Sequence, residues 1–291
     1  MICRPREELH RELSAAFSAQ PEIRGIYVFG REVDGQPDEY SDIDMILCSD
    51  DLARSHRNYR DVLGKIAPIV GTYLIHSDAA EIAEMVLLEG FSPYQKIDLS
   101  ISADLSKKEA FGPFRPLYER PTPTFLTSFH EQTSLPDLSH IRHSLTNRLN
   151  DVLFGIPRFT KCLFRGEHDF YRRWFGATET LTALLHESYF GWSTASHAKL
   201  KLLPHEYKQL FHSLNQQDSD WLKHIHPIDG KPDLCLSFYH TVCWIVRLYQ
   251  AKAAQTGEVL DTRVSDHLLS FLEREIERFH RRSCSSSTVR R

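Results

Sequence analysis

No window of the chain comes near the roughly eighteen uninterrupted apolar residues that a membrane-spanning helix needs. The opening "MICRPREELHREL" is charged from its fourth residue, with no apolar core behind it. A secretory leader has the opposite pattern, so the sequence reads as a soluble, cytoplasmic protein with no membrane partner. CxxC pairs are absent as well. The six cysteines, at 3, 48, 162, 235, 243 and 284, are scattered, which fits reduced thiols rather than a disulfide framework. The "HIH" at 224–226 and the pair His140 and His143 lack further Cys or His at ligand spacing, so surface or capping roles are expected of them. No charge of one sign dominates: the formal net charge is −4, which argues against a nucleic-acid partner. There is no internal repeat.

What is present is a change of texture partway along. The 291 residues, 41% of them hydrophobic, can fill two moderate cores, and two are expected. Residues 5–18 place Leu9, Leu13, Ala16 and Phe17 at helical spacing. "GIYVF" (25–29), "DIDMILC" (42–48), "GTYLIHS" (71–77) and "KIDLSIS" (96–102) are short and rich in β-branched or aromatic residues, which predicts strands. "HRNYRDVLGKIA" predicts a helix ending before Pro68, and "DAAEIAEMVLLEG" a helix or helical turn. Pro113, Pro116, Pro121, Pro123 and Pro136 are too dense for regular structure. Beyond them the apolar period is helical over 138–154, 158–165, 168–190, 205–216, 234–254 and 262–281. The expectation is an α+β protein: a mixed sheet with flanking helices over 1–112, a Pro-rich linker over 113–137, an all-α helical bundle over 138–282, and a disordered tail over 283–291.

The densest chemistry lies in "FGREVDGQPDEYSDIDMILCS" (29–49), within a stretch that carries eight acidic residues from Glu32 to Asp51. Glu32, Asp34, Asp38 and Glu39 read as a hydrated loop surface. Asp42 and Asp44 differ, because alternate strand residues share a face. That sets their carboxylates side by side, about 7 Å apart, while Ile43, Met45 and Leu47 face the core. Such a pair is tolerated in water or around a divalent cation. In "KIDLSIS", Lys96, Asp98 and Ser100 share the polar face, so Asp98 joins the pair if the two strands are neighbours. Three carboxylates suit Mg²⁺, and one or two such ions can align an attacking hydroxyl with a pyrophosphate leaving group. "FG" at 29–30 closes a strand and offers backbone N–H groups to phosphate.

This order of residues resembles the nucleotidyltransferase superfamily of polymerase-β type, whose pattern is Gly-Ser, a loop, Asp-hydrophobic-Asp or Glu on the next strand, and a third carboxylate later. Gly30, Asp42, Ile43 and Asp44 match it, with Asp98 as the third acid, and "YSDIDMIL" is the most specific part. The family's Ser is Arg31 here, whose fork can hold phosphate. In the second half, "KCLFRGEHDFYRRWF" (161–175) and "SHAKLKLLPHEYKQL" (196–210) resemble the helical domain of streptomycin-type aminoglycoside adenylyltransferases, with Lys199 and Lys201 matching in character. Lincosamide nucleotidyltransferases share the plan.

The resemblance implies Mg²⁺-dependent transfer of a nucleoside monophosphate, most readily AMP from ATP, to a hydroxyl of a small antibiotic-like acceptor, aminoglycoside or lincosamide, releasing pyrophosphate. It implies that Asp42 and Asp44 bind the metal and that Asp98 is a third ligand or the general base. Gly30, Arg31, Lys161 and Arg165 would contact the nucleotide phosphates. Glu167, Glu179 and Glu187 are acceptor-side or general-base candidates, the last two placed eight apart on one helix face with Ala183. Some resembling enzymes share sites across a homodimer. The acidic loop suits a cationic acceptor and counts against tRNA. The reading from another class is a catalytically degenerate scaffold, a nucleotide-binding or antitoxin-like regulatory partner, for which Arg31 in place of Ser is the sequence support.

Overall fold

The computed structural model describes residues 4–103, 105, 113–120, 137–192, 204–225 and 233–288; Lys199, Lys201 and His226 lie outside them. The chain divides into two compact units, Met1–Arg142 and His143–Arg291. The first opens with α1 (Arg6–Ser18) and β1 (Ile23–Val28), then a 3-10 turn over Gly30–Glu32. β2 (Ile43–Ser49), α2 (Leu52–Gly64), β3 (Ile69–Ser77), β4 (Glu81–Leu88), a 3-10 turn over Pro93–Gln95, β5 (Ile97–Ser102) and β6 (Arg115–Glu119) follow. Among the described residues these strands form one mixed sheet in the order β3-β4-β5-β2-β1-β6. Only β2 and β5 are parallel within it; β1, β3, β4 and β6 pair antiparallel with their neighbours. This is the α+β class expected from the sequence.

The sheet has a buried face because period-two and period-3.6 patterns meet there. Leu9, Leu13 and Phe17 from α1 and Tyr59, Val62 and Leu63 from α2 pack with Ile43, Met45 and Leu47 of β2 and Ile97, Leu99 and Ile101 of β5. α2 starts where it does because the Asp51 side chain accepts from the Arg54 N–H at 2.8 Å. The crossover from β2 through α2 and the β3–β4 hairpin brings the chain back beside β2, so β5 runs parallel to it.

Three expectations are corrected in or beside this unit. The stretch expected as a helix or helical turn is β4: Ile82, Glu84, Val86 and Leu88 are buried at period two, and the acid at the second of these positions hides the alternation. Part of the expected linker, Arg115–Glu119, is an edge strand on β1, where Pro116 is tolerated because an edge needs fewer ladder donors. Glu32, expected on a hydrated loop, is buried against Arg6 and His10.

α3 (Ser139–His143) leads into the second unit, which holds α4 (Leu145–Leu153), α5 (Gly155–Arg165), α6 (Asp169–Phe190), α7 (Pro204–Ser213), α8 (Gln216–Ile225), α9 (Leu234–Thr256) and α10 (Arg263–Thr288). The single helix expected over 138–154 is broken at Ser144, whose side chain caps α4 by accepting from the Asn147 N–H at 3.1 Å. α9 is the central helix, with Phe238, Val242, Trp244 and Ile245 buried. Its Phe238 ring stacks on Phe159 of α5 at 3.8 Å, and its Ser237 accepts from the Trp174 indole of α6 at 2.9 Å. α10 continues to Thr288 through most of the stretch expected as a disordered tail, since extending an existing helix costs far less than nucleating one. No described helix is long and apolar enough to cross a membrane.

Glu84 is the polar centre of the sheet unit. It accepts from Tyr59 and lies 3.1 Å from His56 Nε2 and 3.5 Å from Arg60. Burial alone would raise its pKa; the His56 and Tyr59 hydrogen bonds and the Arg60 charge outweigh it and hold the carboxyl below the ordinary glutamate value. A depressed folded-state value means that the contribution is complete above the unfolded value of about 4.3 and is lost as pH falls through the folded one. Glu84→Ala is expected to cost about 2 kcal/mol at neutral pH by leaving the buried Tyr59 hydroxyl and His56 ring without their acceptor. Urea unfolding followed across acidic pH should also show a shallower acid-side fall in stability for the variant than for the wild type.

Candidate metal and phosphate site

Parallel pairing places Asp44 of β2 directly across from Asp98 of β5. Asp42 immediately precedes β2, whose first N–H, at Ile43, donates to the Lys96 carbonyl at 3.0 Å. The carboxylates of Asp42, Asp44 and Asp98 therefore converge: one oxygen from each lies within 4.8 Å of the others. All three side chains are half-buried, and among the described residues this is the one such cluster of metal-ligand type. Neighbouring carboxylates repel, and the chain answers with Lys96. Its Nζ is 2.9 Å from Asp42 Oδ2 and also bonds Asp98 Oδ1, with only 4% of the side chain exposed. Burial alone would lower the Lys96 pKa, but the charges and hydrogen bonds of Asp98 and Asp42 prevail and hold it above the ordinary lysine value. The ammonium is thus a fixed positive charge beneath the acids.

The glycine turn reaches the same place. Phe29 N donates to the Asp44 carbonyl at 3.3 Å, and Gly30 then adopts φ +64°. A Cβ there would lie 2.6 Å from Asp44 Oδ2, so only glycine lets the turn close over the carboxylate. A strap from the N-terminus fixes both approaches. The Arg6 guanidinium bonds Glu32 of the turn, donates to the Ser41 carbonyl at 2.6 Å, and donates also to that of Asp42. Arg4 and Gln95 exchange two hydrogen bonds, at 3.1 and 2.7 Å, and Tyr40 meets Tyr94 edge-on at 5.1 Å. Burial of His10, only partly offset by Glu32, lowers its pKa and favours the neutral ring in this cluster. Ahead of Asp42, the Asp38 carboxylate accepts from Tyr40 N at 3.1 Å and Ser41 Oγ at 2.8 Å, which shapes the turn.

The donor set fits a hard divalent ion. Three carboxylates with no sulfur or imidazole among them suit Mg²⁺ or Mn²⁺, and the glycine-only approach at Asp44 leaves room for a ligand's oxygens beside the acids. Asp42, Asp44 and Asp98 are the residues that would hold it.

The remaining predicted residues are placed as follows. Arg31 is on the glycine turn, about half exposed, 3.6 Å from Asp38. Lys161 and Arg165 are one turn apart on α5, and Arg165 lies 3.8 Å from Glu167. The "RGE" after α5 is a helix stop: Gly166 has φ +68°, and the N–H groups of Gly166 and Glu167 donate back to Leu163 and Cys162 at 3.2 and 2.9 Å. Burial, then Glu167, pushes the Cys162 thiol up to about 11. Glu179 and Glu187 do not share a face. Eight residues turn a helix about 80° past two full turns. Accordingly Glu179 is exposed beside a cavity of about 330 Å³ with Asp151, Arg172 and Arg173, while Glu187 is buried 2.6 Å from Lys252. Sequence reasoning missed two residues of this site. Lys96 appeared there only as a member of the polar face, and Arg6 not at all.

No protein-family model matches the chain, and no curated protein matches it. Among solved structures it is similar to an aminoglycoside 6-adenyltransferase from Bacillus subtilis, at 11% identity and a TM-score of 0.32, over 94% of this chain and 98% of that one. It is also similar to a CCA-adding enzyme in an apo form, at 14% identity and a TM-score of 0.27, over 93% of this chain and 90% of that one. A Thermotoga maritima CCA-adding enzyme complexed with tRNA follows at 11% and 0.27, over 95% of each chain. Likeness at this level carries no weight for the site, which rests on its own geometry.

Gly30→Ala is expected to force the Asp44 carboxylate aside and to strain the backbone by about 1–2 kcal/mol. Mn²⁺ titration should show at least a tenfold loss of affinity, while urea unfolding shows only that modest loss of stability.

Proposed function

We propose that the chain transfers a nucleoside monophosphate from a nucleoside triphosphate, ATP first among them, to a hydroxyl of a small acceptor and releases pyrophosphate. The observation that supports this reading best is the in-register pair Asp44 and Asp98, completed by Asp42 and overlain by the Gly30 turn. Phosphoryl-type transfer asks a protein mainly for positioning and charge neutralisation, and this is what the cluster offers. A divalent ion held by Asp42, Asp44 and Asp98 would supply Lewis-acid stabilisation of the charge that builds on the phosphates.

The protein's own groups divide the remaining tasks. Asp42 and Asp44 are ligands; Asp98 is the third ligand or takes the proton of the acceptor hydroxyl. Lys96 keeps Asp42 and Asp98 aligned by bonding both. The Gly30 turn and the Arg31 guanidinium are the proposed contacts to the phosphates. On the helical unit, Lys161 and Arg165 are the proposed phosphate cations and Glu179 the proposed acceptor-side carboxylate. Glu167, 39% exposed beside Arg165, is the alternative to it. Glu187 is committed to Lys252 and is left out of the chemistry. The acceptor proposed is an aminoglycoside- or lincosamide-like antibiotic. The degenerate reading draws on Arg31, which already faces an acid at Asp38.

Calorimetric titration of ATP, GTP, CTP and UTP with Mg²⁺ separates these readings. The wild type is expected to bind one or more of them only with the metal, and the Asp42→Asn, Asp44→Asn double variant is expected to lose that binding at least a hundredfold. With an accepted hydroxyl compound, pyrophosphate release should fall by several powers of ten in the variant. A wild type that binds no nucleotide under any of these conditions overturns the proposal. Metal-dependent binding without turnover over a wide acceptor panel selects the regulatory reading.

A further inference from the structure

We propose that Lys96 is a built-in cation of this site, its ammonium bonded to both Asp42 and Asp98, so that each chain takes one divalent ion rather than two. The inference rests on the reading of Asp42, Asp44 and Asp98 as metal ligands. A two-metal site sets its ions about 4 Å apart and shares carboxylates between them. Here two of the three carboxylates already carry a cation: Nζ is 2.9 Å from Asp42 Oδ2 and bonded to Asp98 Oδ1 as well. A lysine suits the role better than an arginine because its charge is compact and point-like, as an ion's is.

Two features keep the ammonium in place. Its side chain is 4% exposed, so it cannot swing into water when a metal arrives, as a surface lysine can. Its backbone is held too. The Lys96 carbonyl accepts from Ile43 N at 3.0 Å, and the residues ahead of it, Tyr94 and Gln95, are buried, with Gln95 bonded to the Arg4 carbonyl at 2.7 Å. Leaving the acids would strand a buried cation without partners, a costly state. Charge agrees with geometry: three carboxylates and one ammonium leave a formal −2, which one divalent ion neutralises.

The test counts ions on the full-length chain. Mn²⁺ bound per chain would be measured by electron paramagnetic resonance in the presence of a non-hydrolysable nucleoside triphosphate. The expected count is one for the wild type, with no manganese–manganese coupling, and one for Lys96→Arg. For Lys96→Met it is two, with a coupled-pair spectrum, in protein whose near-ultraviolet circular dichroism matches the wild type. Two ions in the wild type overturn the inference and leave the metal reading standing. A single ion in folded Lys96→Met overturns it as well, because the count then does not depend on the lysine. Should Lys96→Met fail to fold, Lys96→Gln takes its place, and the wild-type count still decides. No bound manganese in the wild type, with or without nucleotide, overturns the metal reading and this inference together.

Discussion

A single ammonium group beneath three converging carboxylates is the interaction on which the first unit depends. Oxygens within 4.8 Å of one another repel by about 3–4 kcal/mol per pair at an effective dielectric of about 20. A parallel pairing that puts Asp44 opposite Asp98 would be hard to sustain on its own. Lys96 makes it sustainable, because it sits immediately before the strand that carries Asp98 and reaches back across to Asp42. The crossover through α2 and the β3–β4 hairpin, the burial of Ile97 and Leu99, and the position of the glycine turn all serve the same alignment.

The N-terminal strap is the second layer of that alignment. Arg6 touches the glycine turn and the two carbonyls ahead of β2 with one planar group, which a guanidinium can do and an ammonium cannot. Arg4 ties Gln95 on the far side while its own charge is shared by Glu8 at 2.7 Å and Glu12 at 2.5 Å. Charged residues near the start of a chain usually read as solvated helix faces. Here they are the fittings that hold two loops at a fixed distance.

How much of this could be read in the sequence depends on whether the signal was local. Asp42, Asp44 and Asp98 were legible because side-chain parity on a strand is fixed at two, and the structure supplies the adjacency that parity required. The helix spacings of α1, α6 and α9 were legible for the same kind of reason. β4 was not, because Glu84 occupies a core position and only its three-dimensional partners, His56, Tyr59 and Arg60, explain why an acid can be there. α8 was missed because "QQDSDWLKHI" has too few apolar residues to show a stripe. Lys96 stood in plain view two residues before Asp98, yet its burial is a tertiary fact that no window of sequence contains. The pairing of Glu179 with Glu187 failed on the geometry of the helix itself: two turns end before eight residues do.

The strap also bears on the order in which the site comes into being. Arg6 finds its acceptor at Ser41, 35 positions later, and Arg4 finds Gln95 only 91 positions on. Closing loops of that length carries an entropic cost that must be met before any contact rewards it. Until β5 has paired, Asp42 lacks its lysine, whereas the acceptors of Arg6, at Glu32, Ser41 and Asp42, all precede that strand. The acidic cluster is thus completed only when β5 docks on β2, although Asp42 and Asp44 precede Asp98 by more than fifty residues.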